Sequence, residues 1–395
     1  MTTTTLVNDS QFYCSQKFWW LSVDISKRQT FSCCAATPDK IDTSWLKKNT
    51  GQLFNTPHLR NERSMMLSNR AVTSCEKACW EPEQQQLVSR RLLMNSKVIT
   101  DTNIQSTPRV LHIVVGNDCN MSCVYCCKQY SSSWIQDLVK NGPYAGVEGV
   151  GDRYEINNTD RILLKIGQKQ MAGTADTKLL LDEISVMIQA SELTKVLITG
   201  GEPFLHLGLA ELVNSIPKSV KVIINSGLGV NTSRFANELD KLPLNQVEIG
   251  ISAENTKDLY EFSRYGNTWK QFNDNILILK NKGIPYQFSA VISNLTIHGL
   301  SDFIEYATDV PIMYLLCNDP SFLSINVLDP GSKRKILETV DKLPTDLSQL
   351  ITNSINDANT DQQRQDLKNY ITEFTKRRDI SLNVFPKSFI EWITK

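Results

Sequence analysis

From residue 109 onward, short runs of β-branched residues alternate with stretches of helical periodicity, the pattern of repeated βα units on a parallel sheet. Six strands can be placed, at 110–115, 195–199, 220–225, 246–252, 287–292 and 312–316. Between the fourth and fifth, Trp269, Phe272, Ile276 and Leu279 recur at spacings of three, four and three, which puts one apolar stripe on a helix and predicts a cover for the sheet. Six units are two short of a closed eight-fold barrel. The expected fold is therefore α/β, a partial (β/α)6 TIM-like barrel with its chemistry at the C-terminal ends of the strands.

The chain's 395 residues exceed what one core usually organises, and its texture divides it into a cysteine-rich module over 1–100, the barrel over 108–318 and a helical extension over 319–395. In the first part Trp19, Trp20, Trp45 and Trp80 stand among scattered cysteines and turns, as in a small metal-stapled unit too loop-rich to build a core alone. In the last, Leu367, Tyr370, Ile371 and Phe374 mark one helix face, with no evident chemistry. The stretch 131–176, with Gly142, Gly146, Gly149 and Gly151, is long for a routine connection. It reads either as a lid or substrate loop or as a passive surface insertion.

Lysine plus arginine equals aspartate plus glutamate at 42 each, so no global charge draws the chain to nucleic acid or to an anionic membrane. The first ten residues are polar, without the basic-then-apolar pattern of a secretion signal, and no apolar run is long enough to span a bilayer. The expectation is a cytoplasmic protein. There disulfides are disfavoured, and ten cysteines gathered mainly in two groups point to metal ligation or catalysis.

Directly after the first barrel strand come Cys119, Cys123 and Cys126, whose thiolates would hang in a loop over the mouth of the sheet. Soft thiolates suit iron–sulfur clusters or zinc. Three ligands leave one iron of a cubane without a protein partner, the open position that a catalytic metal site needs. Cys127 adjoins this triplet, but Cys126 has the fitting spacing, so Cys127 reads as a packing residue.

Cys-x3-Cys-x2-Cys after a first barrel strand, with Tyr125 just before the third cysteine, resembles the signature of the radical S-adenosylmethionine (SAM) superfamily. Gly200, Gly201, Glu202 and Pro203 at the end of the second strand are similar to that family's GGEP motif. The resemblance implies a [4Fe-4S] cluster on the three thiolates and SAM on its open iron. Reductive cleavage would then give a 5′-deoxyadenosyl radical that abstracts hydrogen from substrate, with a flavodoxin- or ferredoxin-type protein as electron donor. It further implies that the GGEP segment receives the SAM amino group, that Asn225, Ser226 and Ser252 at strand ends meet ribose and carboxylate, and that Arg264 pairs with the SAM carboxylate. For the strand-end residues the alternative is a turn role, and for Arg264 a solvated surface arginine. Cys317 ends the sixth strand, where a thiol could return a hydrogen atom to a substrate radical, as in epimerases of the superfamily. A small buried packing residue is the alternative there.

A second set, Cys14, Cys33 or its neighbour Cys34, Cys75 and Cys79, could close a tetrahedral zinc site or a fully ligated cubane. Cys79-Trp80-Glu81 followed by Ser89-Arg90-Arg91 resembles the auxiliary-cluster modules termed Twitch or SPASM, although in the best-known relatives these follow the barrel. Folded back over the barrel mouth, such a second [4Fe-4S] cluster would take the electron left on a substrate radical or ligate substrate directly. The expectation is a radical SAM oxidoreductase acting on a peptide or protein side chain, or on a sugar- or nucleotide-linked metabolite. The alternatives are a non-catalytic iron–sulfur scaffold or sensor and, against the balanced charge, a zinc-bound nucleic-acid module.

Overall fold

The six β-branched runs are all strands, and all lie side by side. A computed structural model describes residues 11–33, 36–84, 89–95, 102–148, 150–157, 175–190 and 192–395. Its centre is a nine-stranded sheet: β1 (Trp20–Asp24), β2 (Gln29–Phe31), β3 (Asp39–Lys40), β4 (Val110–Val114), β5 (Lys195–Thr199), β6 (Lys221–Ser226), β7 (Val247–Ser252), β8 (Tyr286–Ile292) and β9 (Ile312–Leu316). The spatial order is β3-β2-β1-β4-β5-β6-β7-β8-β9. Every neighbour from β1/β4 through β8/β9 is parallel, and only β1/β2 and β2/β3 are antiparallel.

The six expected barrel strands are thus present, but the parallel run is longer than six. β1 pairs residue for residue with β4, from Trp20↔Val110 to Asp24↔Val114. The cysteine-rich first part therefore builds sheet as well as carrying thiols. Two of its three strands, three and two residues long, are too short to show a period in sequence.

Alternation along the strands sorts the two faces. Leu111, Ile113, Ile198 and Ile224 are fully buried in the core under the helices. The helix Trp269–Asn281 turns the expected face inward, with Phe272, Ile276 and Leu279 buried. Burial of side chains of this size stabilises by about 1.5–3 kcal/mol each. The opposite sheet face carries a polar line: Trp20 Nε1 donates to Ser22 Oγ (2.8 Å), Ser22 Oγ lies 3.0 Å from His112 Nδ1, and His112 Nε2 lies 2.7 Å from Thr199 Oγ1.

The described part of 131–176 is pinned down. It begins as the helix Ser132–Asn141, capped by the Ser131 hydroxyl. Tyr144 and Tyr154 then pack against Trp134 and Tyr370, with ring centroids 5.3–5.5 Å apart. Arg377 donates to the carbonyls of Gly142 (2.9 Å) and Pro143 (2.7 Å), and Glu148 N donates to Asp366 (3.0 Å). A freely closing lid does not fit residues tied this way to the helix Asp361–Arg378. Gly149 and residues 158–174 lie outside the described residues. No helix among the described residues is long and apolar enough to cross a membrane.

Candidate functional site

The loop after β4 is held on all sides by its backbone. Gly201 N donates to Gly116 O (2.8 Å) and Glu202 N to Asp118 O (2.7 Å), so the GGEP segment supports the start of the cysteine loop. The two glycines are needed for this contact: a Cβ on Gly200 would sit 2.8 Å from Gly116 O, and one on Gly201 would sit 2.3 Å from Asp118 O. Opposite, Ser122 N donates to Tyr265 O (2.7 Å) and Val124 N to Ser263 O (2.9 Å). Ser131 Oγ donates to Met121 O (2.7 Å), Ser133 Oγ to Cys119 O (2.7 Å) and Trp134 Nε1 to Cys123 O (3.2 Å), while the Tyr370 hydroxyl donates to Val124 O.

Within this frame Cys119, Met121 and Cys123 form one buried patch, with Tyr125 and Cys126 packed against it. Burial, then the neighbouring Cys123, pushes the Cys119 thiol up to about 12. Burial also raises Cys126, with Cys127, Cys123 and Cys119 adding to it. Thiols crowded this way stay protonated until a cation takes them, and metal binding then releases their protons. Cys127 is buried, and its carbonyl accepts from Tyr130 N and Ser131 N at 3.1 Å each.

The strand-end residues occupy the same rim. Glu202 is buried and accepts from Ser226 Oγ (2.8 Å), Gly227 N (3.1 Å) and Phe204 N (3.3 Å), with Pro203 opening the short turn that this last bond caps. Ser226 thus faces Glu202. Asn225, half-buried, lies against Gly250 of β7, where a Cβ would be 2.1 Å from its Oδ1. Ser252 is half-buried at the end of β7.

Arg264 is not a solvated surface residue. It is 3% exposed, its Nη2 is 2.7 Å from Glu254 Oε2, and its Nη1 is 3.9 Å from Cys123 Sγ. Tyr125 OH donates to the same Glu254 oxygen (3.1 Å), and the Arg264 guanidinium lies 5.5 Å from the Tyr125 ring centre. Glu254, absent from the sequence reading, completes this trio. Its signal was a carboxylate two residues past a strand end that follows an apolar run. Glu254 Oε1 and Arg264 Nε are buried without a hydrogen-bond partner, and such atoms are costly unless a ligand satisfies them.

Cys317 directly follows β9 and is buried in the apolar core against which Tyr125 and Cys126 also pack. Its Sγ is 3.9 Å from Asp319 O, and burial, eased by Arg153, pushes its thiol up to about 12.

Three thiols of the second set share one buried cluster. Cys14 leads into the turn Ser15–Phe18, Cys33 follows β2, Cys75 ends the turn Thr73–Cys75, and Cys79 lies in the next turn, Glu76–Trp80. Cys14, Cys75 and Cys79 pack with Met66, Val72 and Trp80. Burial and then the charges of Cys33 and Cys75 push Cys14 up to about 12. A hydrogen bond with Cys79 holds Cys75 down, aided by Lys17, and the same bond, with burial and Cys14, drives Cys79 up. Cys34 lies outside the described residues.

This second group does not cover the barrel mouth. β1 runs parallel to β4 and β2 runs back, so Cys14, before β1, and Cys33, after β2, both sit at the N-terminal edge of the sheet. The triplet follows the C-terminal end of β4, one five-residue strand away, about 16 Å at 3.3 Å per residue. Direct ligation of a substrate at the mouth is therefore not available to it.

Residues 113–307 match the family model described as the radical SAM superfamily. These residues, just under half of the chain, form a radical SAM domain, and such a domain implies a [4Fe-4S] cluster and SAM. The donor chemistry fits: three soft thiols on one braced loop, beside two buried polar atoms that lack partners. Among the described residues no three His, Cys, Asp or Glu side chains converge on one point as a single metal ion requires.

The chain is similar to a probable GTP 3′,8-cyclase of Methanocaldococcus jannaschii, 21% identical over 203 residues, 51% of this chain and 56% of that protein. It is also similar to a GTP 3′,8-cyclase of Alkaliphilus oremlandii, 29% identical over 140 residues, 34% and 44% of the two lengths. It thus spans about half the length of the curated relatives it matches. Among solved structures, native anSMEcpe with bound AdoMet and a Kp18Cys peptide matches with a TM-score of 0.37 and 15% identity over 59% of each chain. Streptococcus suis SuiB bound to precursor peptide SuiA matches with a TM-score of 0.34 and 13% identity, over 86% of this chain and 70% of that one. Superpositions this loose carry no functional argument.

Proposed function

We propose that this protein is a two-cluster radical SAM oxidoreductase, with Cys119, Cys123 and Cys126 holding the catalytic cluster and Cys14, Cys33, Cys75 and Cys79 holding a second one. The observation that carries the reading is the packing of three buried thiols, Cys14, Cys75 and Cys79, with the buried Cys33 close enough to act on Cys14, at the N-terminal edge of the sheet, in a chain whose radical SAM loop lies at the other edge. When bound, the cluster and SAM supply a radical that abstracts hydrogen. The chain's own part is to brace the loop through residues 200–202 and 263–265, to keep water from the thiols, and to present the free valences of Glu254 and Arg264. We assign those two atoms to the SAM amino acid moiety, and Asn225 and Ser252 to its remaining polar groups. Four protein thiolates leave no open iron on the second cluster, which suits it to electron transfer. The sequence relatives act by name on GTP, so a guanine nucleotide is the first substrate to offer, with peptides next.

Iron and sulfide content after anaerobic reconstitution tests this reading. Wild type should hold about eight irons and C119A/C123A/C126A about four. A wild type with about four and a variant with none would remove the second cluster.

A further inference from the structure

The second thiol group has a lysine buried against it. Lys17 is 1% exposed, and a lysine is almost never buried unless its charge is paired. It stands in the turn that Cys14 begins, with its backbone N donating to Cys14 O (3.3 Å). Its Nζ donates to Glu62 Oε2 (2.7 Å) and to Ser74 Oγ (3.0 Å), and that hydroxyl lies 4.0 Å from Cys75 Sγ. Glu62, also buried, is anchored in turn by Ser32 Oγ (3.1 Å), by Ser74 and by His58 Nε2 (3.4 Å). The ammonium is therefore fixed in place beside the thiols.

A plain structural pair explains this poorly. A buried ion pair is often no more stabilising than apolar residues of the same volume, and the thiols beside this one are packed among Met66, Val72 and Trp80. What a fixed cation does at this place follows from charge. A cubane on four thiolates is anionic, and each electron added makes it more so. In a medium of low dielectric a neighbouring cation favours the more negative state.

We propose that Lys17 is a positioning residue that sets the reduction potential of the N-terminal cluster, its ammonium held against Cys75 by Glu62 and raising that potential. This rests on the reading of Cys14, Cys33, Cys75 and Cys79 as cluster ligands. Lys17 gives up no proton and takes no electron. It shifts the one-electron couple toward the reduced state, whose electron comes from the substrate radical or from an external donor.

The test is an EPR-monitored redox titration of the full-length, reconstituted C119A/C123A/C126A chain, in which only the N-terminal cluster remains, with K17M, K17R and E62Q added singly. K17M should keep its iron and lower the reduced-to-oxidised ratio at the parent's midpoint at least tenfold, which is 59 mV for one electron. K17R should restore the parent's midpoint, and E62Q, which frees the ammonium from its carboxylate, should move it upward. Midpoints unchanged in K17M and E62Q, or moving the same way as general loosening would move them, overturn the proposal. If K17M binds no iron, the direction of E62Q decides. A parent chain without iron overturns the cluster reading itself, a result told apart from the others by iron content alone.

Discussion

Two buried carboxylates, Glu254 and Glu62, each hold a buried cation, and both pairs can be tested singly. Glu254→Gln strands the Arg264 guanidinium in a site that is 3% exposed. Breaking a buried pair from one side costs about 3–5 kcal/mol, so the urea midpoint of this variant should fall well below wild type, while an unchanged midpoint would place Arg264 in water. For Glu62 the sign follows from its surroundings. Burial alone would raise its pKa, but His58, Lys17 and Ser74 prevail and hold it down from 4.5 to about 2. The folded state thus binds the proton more weakly than the unfolded chain, and the stability that Glu62 contributes is complete above about pH 4.5 and is lost as pH falls toward 2. The stability gap between wild type and E62Q should therefore close across that window, as followed by urea unfolding at a series of pH values. A constant gap would contradict it.

At the scale of elements, the loop after β4 depends on its neighbours being close. Gly201→Ala puts a methyl 2.3 Å from Asp118 O, a backbone atom that cannot yield without moving the loop. This variant should lose most of the iron at the triplet while the N-terminal iron stays, giving about four irons per chain in place of about eight. Tyr370→Phe removes one hydrogen bond to the same loop and should cost only about 1 kcal/mol.

These elements also show what the sequence made legible. β4 to β9 were readable because each is a run of five to seven residues, mostly β-branched or apolar, and the triplet and GGEP segment were readable because their spacing is local. β1 to β3 were not: β2 and β3 are only three and two residues long, and β1, though as long as β4, stands among tryptophans and turns. Nor was the C-terminal helix as a brace for the cysteine loop: Tyr370 meets Val124 across 246 residues, and no periodicity reports such a pairing. Arg264 was noticed by its resemblance, but its pairing with Glu254, which fixes its place, emerges only once β7 and the following helix Lys257–Ser263 bring them together.

For the whole molecule, the continuous sheet sets the geometry of function. It places the two thiol groups at opposite ends of the same parallel strands. The polar line from Trp20 through Ser22 and His112 to Thr199 joins the first part of the chain to the barrel strands across one face of the sheet. The most direct test of the central claim is anaerobic incubation of the reconstituted full-length protein with SAM and a strong reductant, with 5′-deoxyadenosine as the quantity measured. Wild type should release it and C119A/C123A/C126A should not. Equal release from both, or none from an iron-replete wild type, would contradict radical SAM chemistry at this loop and favour a cluster scaffold.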